Sequence, residues 1–287
     1  MKKLRYVLII ILIIAGVAAI SFTSGYKYAN RELRTDEIID SSYGSNLSGI
    51  HIVDASGKDM DVPFGSTEAD YKVVLYISSI CSSCAKEIDT AKHLKEVLNA
   101  KHYEVYVLYE DKIVKERDED PFDNTYCMAD GRLSLNTPGA LILDKDNKVV
   151  FCSDDTSTLM EKIISIESAD EIELMRNHAN EYLISFLDHD DFDNSKPTMI
   201  YFRMEGCPDC IAVEPILDDA EVASKFNRVD LYTEASFGEE DLVDSDRVFR
   251  NLFEIDWYPS FELISDTRTQ ILGEMPEEDL IRALKDF

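Results

Sequence analysis

Basic side chains are scarce in this sequence of 287 residues, which contains 29 lysines and arginines against 57 aspartates and glutamates. Residues 1–34 hold six of the basic residues and one acidic residue, so residues 35–287 carry 23 basic and 56 acidic groups, a net charge of −33. A body this acidic repels phosphate backbones, which disfavours nucleic-acid binding as a function. The simplest interpretation of the acidity is a well-solvated protein surface.

Cysteine is also rare, because six cysteines are too few to build a chain of this length on disulfide bonds. The sequence shows no nucleotide, flavin or haem signature, so we expect no cofactor. Its five histidines show no metal-ligand spacing, and we expect no metal site. Apolar residues make up 45% and aromatic residues 10% of the chain, enough for a hydrophobic core, which excludes the disordered class.

A long uncharged run, Tyr6–Tyr26, follows three basic residues near the N-terminus. As a helix it would span about 31 Å, which matches the hydrocarbon core of a bilayer. Positive charge before the run and an acidic body after it predict a cytoplasmic N-terminus and an extracytoplasmic body at the cell membrane. We therefore expect a transmembrane anchor over residues 1–26. The alternative is a signal peptide cleaved near the small residues Val17 and Ala19, which would leave the body secreted.

Four of the six cysteines form two C-x-x-C pairs, each between an apolar strand segment and a helical segment. Cys81 and Cys84 follow the segment KVVLYIS, and Cys207 and Cys210 follow PTMIYFR. Both halves of the body have the same predicted order, which is strand, C-x-x-C, helix, strand, helix, X-Pro, hairpin and helix. This internal duplication is the strongest organisational signal in the sequence.

The duplicated plan predicts two α/β domains after a polar linker. Residues 27–48 are rich in serine and asparagine, as a tether would be. The domains are predicted at residues 49–166 and 167–287. Near their boundary Ser168 and Glu171 form a capping-box pattern, which predicts the start of a helix.

The order of elements resembles the thioredoxin fold in both halves. The first half resembles the TlpA/ResA-like membrane-anchored thioredoxins, because CSSCAKE places Glu87 where that family often has an active-site acid. Its segment NTPGALILDKDNKVVF is similar to the family's cis-proline strand and hairpin. The second half resembles an ordinary thioredoxin, with Pro215 in CPDCIAVEPIL and the segment WYPSFELI. The resemblance implies two thioredoxin-like domains, each a central mixed β-sheet flanked by helices, after the transmembrane helix.

The resemblance also implies what the cysteines do. Each first cysteine would begin a helix, where free backbone N–H groups and the macrodipole favour the thiolate. Cys81 and Cys207 would attack a substrate disulfide, and Cys84 and Cys210 would resolve the mixed disulfide. Glu87 would serve as a catalytic acid or base in the first half.

Two cis prolines complete the implied sites. The Thr137–Pro138 and Tyr258–Pro259 pairs would face the cysteines and contact the bound substrate peptide. Asp209 is an anion between the cysteines of the second pair and should raise their thiol pKa through repulsion, which favours the second pair as the stronger reductant.

The two remaining cysteines, Cys127 and Cys152, flank the first X-Pro site in the sequence. We expect a structural disulfide between them, and an auxiliary redox pair is the alternative. Either C-x-x-C pair could also be an inert structural disulfide, or both pairs could share one zinc ion.

These observations predict a membrane-anchored, extracytoplasmic thiol-disulfide oxidoreductase. Its partners would be proteins that carry dithiols or disulfides, with a membrane redox protein as a further partner and without nucleic acid. The alternative is a non-catalytic accessory module that holds a secreted client in the cis-proline groove, with its cysteines in structural disulfides.

Overall fold

The structure, a computed structural model, describes only part of the chain, namely residues 37–54, 56–60, 64, 68–111, 122–185, 193, 195–204, 206–233, 243–244 and 248–287. Within these ranges no helix is both long enough and apolar enough to cross a membrane. The predicted anchor over residues 1–26 lies outside the described residues, as does the first part of the predicted linker.

A six-stranded sheet with the order β2-β5-β4-β3-β7-β8 organises the first half of the described chain. Its strands are β2 (Ile52–Asp54), β3 (Tyr71–Ile77), β4 (Tyr103–Tyr109), β5 (Thr125–Met128), β7 (Gly139–Asp144) and β8 (Val149–Ser153). The central strand β3 runs parallel to β4 and antiparallel to β7. Its nearly continuous apolar sequence is explained by cover on both faces of the sheet.

Two helices cover one face of this sheet and connecting segments cover the other. Helix α1 (Lys86–Val97) and helix α2 (Thr158–Ile166) bury their apolar residues in one hydrophobic cluster with alternate positions of β3, including Val73 and Leu75. The intervening position, Val74, faces the other side of the sheet with a second hydrophobic cluster.

The second part of the predicted linker does not behave as a tether. Strand β1 (Ile38–Ile39) pairs in parallel with β6 (Arg132–Leu133). Leu47 is fully buried in the cluster on the outer face of the first sheet. Because isolated apolar residues in a polar segment give no periodic pattern, this packing could not be predicted, and residues 37–48 belong to the folded body.

A five-stranded sheet with the order β11-β10-β9-β12-β13 organises the second half. Its strands are β9 (Thr198–Met204), β10 (Asn227–Thr233), β11 (Val243–Asp244), β12 (Ser260–Ser265) and β13 (Arg268–Leu272). The helices are α3 (Ala169–Ser185), α4 (Pro208–Leu217), α5 (Ala220–Ala223), α6 (Val248–Leu252) and α7 (Glu277–Asp286). Helices α3 and α6 pack on one face of the sheet, and α4, α5 and α7 pack on the other.

The two halves meet through their helices. Helix α2 ends at Ile166, and the Ser168 hydroxyl accepts a hydrogen bond from the Glu171 N–H at 3.2 Å, which confirms the predicted start of α3. The imidazole of His93 on α1 lies 5.0 Å from the ring of Phe249 on α6 and 5.9 Å from that of Tyr182 on α3. One hydrophobic cluster runs through this contact and contains buried residues of both halves.

Candidate active sites

The first C-x-x-C pair lies where the central strand of the first sheet gives way to a helix. After β3 the chain turns, and the Cys81 N–H donates to the Ser78 carbonyl oxygen at 3.2 Å. A 3₁₀ turn, Ser83–Ala85, then leads directly into α1. Cys81 and Cys84 form a disulfide across this turn, with their Cα atoms 5.3 Å apart.

The two sulfurs of the first pair differ in exposure. Cys81 is half-buried at the rim, whereas Cys84 is 1% exposed and belongs to the core. The Cys81 sulfur accepts the Cys84 N–H at 3.2 Å, and the Ser83 hydroxyl lies 3.2 Å from the same sulfur. Both donors favour a thiolate on Cys81 once the disulfide is reduced.

Glu87 follows Cys84 by about one helical turn and is fully buried in the first turn of α1. Its Oε1 atom accepts a hydrogen bond from the buried Thr156 hydroxyl at 3.0 Å. Thr156 comes from the chain between β8 and α2, and sequence reasoning missed it because no motif links two positions so far apart. The arrangement keeps a buried carboxyl group in the helical turn that follows Cys84.

The second C-x-x-C pair repeats this backbone plan at the end of β9. Cys207 is the N-cap residue of α4, with Pro208 at the first helical position, and its sulfur accepts the Cys210 N–H at 3.2 Å. Both cysteines are thiols, and both are buried, with exposures of 5% and 1%. Burial raises the pKa of the Cys210 thiol to about 11, and the neighbouring Cys207 thiol adds to the increase.

Both X-Pro peptide bonds at these sites are cis, as the resemblance implies. Thr137–Pro138 immediately precedes β7, whose first residue, Gly139, pairs with Tyr76 near the end of β3. Tyr258–Pro259 immediately precedes β12, and the Tyr258 carbonyl oxygen lies 3.8 Å from the Cys207 sulfur. The register therefore brings each X-Pro segment to the sheet edge that carries a C-x-x-C pair.

Exposed apolar side chains border both pairs. Ile80 precedes the first pair and is 67% exposed. Around the second pair, Ile211 and the single tryptophan of the chain, Trp257, are 61% and 62% exposed. A rim of this kind suits an extended peptide that carries apolar side chains.

The expected disulfide between Cys127 and Cys152 is wrong. Cys127 lies on β5 and Cys152 on β8, and strands β4, β3 and β7 stand between them. Four strand spacings amount to about 19 Å, whereas a disulfide needs Cα atoms within about 7 Å. The side chains also lie on opposite faces of the sheet, in different hydrophobic clusters. The structure therefore does not bring these two cysteines to one site.

In the described part of the chain, no group of three or more His, Cys, Asp and Glu side chains is arranged to hold a metal ion. Each C-x-x-C pair instead stands at the end of its own sheet, next to its own cis proline.

Comparisons with known proteins give remote likenesses only. No family profile matches the chain, and no curated protein matches it. Among solved structures, the C-terminal domain of an uncharacterized Bacteroides fragilis protein is 18% identical, with a TM-score of 0.36, over 44% of this chain and 98% of that one. A thioredoxin-like protein from Bacteroides caccae is also 18% identical, with a TM-score of 0.36, over 45% of this chain and about half, 51%, of that one.

A thiol:disulfide interchange protein from Bacteroides sp. is 18% identical, with a TM-score of 0.31, over 45% of this chain and 94% of that one. Each of these likenesses covers less than half of this chain. Likeness at this level carries no argument about chemistry, so function has to be argued from the geometry of the two sites.

Proposed function

We propose that this protein is a thiol-disulfide oxidoreductase with two thioredoxin-like domains, residues 37–166 and 167–287, each with one C-x-x-C active site. The observation that carries the proposal is the repeated geometry. In both halves a central strand ends at a C-x-x-C pair, a helix begins at or just after the pair, and a cis proline starts the adjacent antiparallel strand.

The chemistry follows from the asymmetry of each pair. In the reduced enzyme the thiolate of Cys81 or Cys207 attacks a substrate disulfide, forms an S–S bond and releases one substrate sulfur as a thiolate, which takes up a proton. Cys84 or Cys210, within one helical turn, then attacks the enzyme sulfur of the mixed disulfide. The second substrate sulfur leaves, so the enzyme pair is oxidised to a disulfide and the substrate disulfide is reduced to two thiols.

The X-Pro segments and the apolar rim suit the substrate. We infer that Thr137–Pro138 and Tyr258–Pro259 contact an extended protein segment next to the reactive sulfur, and that Glu87 exchanges a proton with Cys84. The substrates would be proteins with accessible disulfides or dithiols. A net supply or removal of electrons would require a second partner protein that carries a dithiol or a disulfide. An N-terminal anchor over residues 1–26 would hold this protein at the membrane with its body outside the cytoplasm, where a membrane redox protein could be that partner.

The test uses the full chain with insulin as the disulfide substrate and dithiothreitol as the reductant. The Cys81→Ser/Cys207→Ser variant should lose insulin reduction to the level of dithiothreitol alone, because no reactive sulfur remains. The matched control is Cys127→Ser/Cys152→Ser, which should retain activity because neither residue belongs to a C-x-x-C site. Full activity in the first variant would overturn the proposal. An inactive wild-type chain that stays folded would favour the accessory-module alternative.

A further inference from the structure

The buried thiol of Cys210 poses a problem for the second site. In the resolving step it must act as a thiolate, although it is only 1% exposed and burial disfavours the charged form. A donor that reaches the sulfur from within the protein would make this step feasible, and the residues around Cys210 identify one.

Tyr201 lies directly beneath the second pair. It is fully buried on β9, and its hydroxyl donates to the Cys210 carbonyl oxygen at 3.1 Å. The same hydroxyl is close enough to the Cys210 thiol to lower its pKa by hydrogen bonding, against the larger effect of burial.

The packing holds the Tyr201 ring in a fixed position. The Phe261 ring stacks against it, with ring centroids 4.9 Å apart and an interplanar angle of 13°. The guanidinium groups of Arg203 and Arg228 lie 5.2 Å and 5.1 Å from its ring centroid. Rotation of the hydroxyl proton is therefore the main freedom left to this group.

The nearby ionic groups neutralise one another. Arg203 contacts Glu214 at 2.5 Å and Asp230 at 3.2 Å, and Arg228 contacts the same two carboxylates at 3.0 Å and 2.6 Å. Asp218 lies 3.9 Å from Arg228 at the margin of this cluster. Burial raises the pKa of Tyr201, so its phenol stays protonated and acts as a donor rather than as a base.

We propose that Tyr201 is a positioning residue for the second site. When the Cys210 thiolate forms, the Tyr201 hydroxyl turns its proton from the Cys210 carbonyl oxygen to the Cys210 sulfur and holds that anion for attack on Cys207. The inference rests on the proposed function. In the step concerned, the Cys210–Cys207 bond forms and the bond from Cys207 to the substrate sulfur breaks. Cys210 first loses its proton to solvent. The substrate sulfur then leaves as a thiolate and takes up a proton from solvent, while Tyr201 keeps its proton throughout.

The test isolates the resolving step in the full chain with Cys81→Ser/Cys84→Ser. Reaction with 5,5′-dithiobis(2-nitrobenzoate) places a thionitrobenzoate group on Cys207, and attack by Cys210 releases it as a coloured anion. The release rate is followed from pH 6 to 12 by rapid mixing, a range that includes the raised pKa of the Cys210 thiol. A companion chain with Cys210→Ser reports the release that does not depend on this step, including any from Cys127 and Cys152.

Tyr201→Phe keeps the ring and its stacking and removes the donor. We expect the pH midpoint of release to rise by about 0.5 to 1 unit, which slows release at pH 7 by about 3- to 10-fold. The matched control is Tyr76→Phe, because Tyr76 is buried on β3 and its oxygen accepts the Leu133 N–H at 3.2 Å, far from Cys210 in the fold. It should leave the profile unchanged, since a structural effect alone would not move the midpoint.

A second variant does not depend on loss of the hydroxyl. Site-specific 3-fluorotyrosine at position 201 is a stronger donor of nearly the same shape and should lower the midpoint. A Tyr201→Phe profile that superimposes on that of wild type, or a fluorotyrosine profile that moves upward, would overturn the role of Tyr201. If wild-type Cys207 forms the adduct and never releases it, the proposed function of this site fails instead, so the two failures are distinct.

Discussion

The two C-x-x-C sites share a backbone plan and differ in the surroundings of their sulfurs. In each, the first sulfur accepts the N–H of the second cysteine at 3.2 Å. At the first site, however, Cys81 is half-buried and has a serine hydroxyl beside it, whereas at the second site Cys207 and Cys210 are both buried. The two sites therefore place a cysteine pair on the same backbone turn but surround its sulfurs with different burial and different hydrogen-bond donors.

This contrast has a thermodynamic consequence. A pair whose thiolate is stabilised is held in the reduced form and acts as an oxidant, while a pair without such stabilisation is a better reductant. Burial raises the Cys210 pKa to about 11. We therefore expect the second pair to be the more reducing one, in the direction that Asp209 suggested from the sequence.

The largest expected effect is the loss of disulfide exchange at one site without any loss at the other. Cys81→Ser should abolish adduct formation and exchange at the first site and leave the second site active, and Cys207→Ser should do the reverse. Each loss should exceed about 100-fold, since a serine hydroxyl is not a nucleophile for disulfides at neutral pH. Mass spectrometry of trapped mixed disulfides measures both sites in one sample. Loss of exchange at both sites in either single variant would show that they depend on each other.

The next largest effect is on the free energy of unfolding and comes from His93, which lies at the contact between the two halves. Burial, with a smaller contribution from the positive charge of Lys92, lowers the pKa of His93 to about 4. Because the unfolded chain binds the proton at about pH 6.5 and the folded chain only near pH 4, this contribution to stability is fully present above about pH 6.5. It is lost as the pH falls to 4, at a cost of about 3 kcal/mol.

His93→Gln should remove this share of the pH dependence, as measured by urea unfolding at pH 7 and at pH 4.5. The matched control is Tyr182→Phe, at a ring 5.9 Å from His93 in the same contact, which should keep the pH dependence of wild type because burial raises the pKa of Tyr182 to about 12. If the free energy of unfolding changed between pH 7 and pH 4.5 by the same amount in His93→Gln as in wild type, this would contradict a neutral, buried imidazole between the two halves.

The smallest of these effects is on the rate of exchange at the first site and comes from the buried carboxyl group of Glu87. Glu87→Gln keeps the shape and the hydrogen bond from Thr156 but removes the acid. We expect exchange at the first site to slow by about 10-fold or more, from the lost proton transfer, with the second site unchanged. Glu161→Gln, at an exposed position on α2, is the control and should have no effect on either site. If Glu87→Gln slowed exchange equally at both sites, this would contradict a role for Glu87 in proton transfer at the first site.

Local patterns in the sequence predicted much of the architecture. The apolar runs of β3 and β9, the helices after both cysteine pairs, the hairpin of β7 and β8, and the cap at Ser168 are all local signals, and the structure confirms them. Such features can be predicted because each depends on residues within one or two turns of the chain.

Features that depend on distant pairing could not be predicted. The strand order of the first sheet places β5, which carries Cys127, four strands away from β8, which carries Cys152, and no sequence spacing indicates this order. The hydrogen bonds from Thr156 to Glu87 and from Tyr201 to Cys210 likewise join elements that meet only after folding. The candidate cysteines, Glu87 and Asp209 were therefore visible in the sequence, while the contacts of Thr156 with Glu87 and of Tyr201 with Cys210 were not.

The most direct test of the account is a redox titration of the full chain in glutathione and dithiothreitol buffers, with each cysteine pair quantified by mass spectrometry. We expect both pairs to pass between dithiol and disulfide while the protein stays folded. We also expect the reduction potential of Cys207–Cys210 to be more negative than that of Cys81–Cys84 by about 30 mV or more, equivalent to about 1.4 kcal/mol. A folded protein in which neither pair exchanges, or in which Cys81–Cys84 has the more negative potential, would contradict this account.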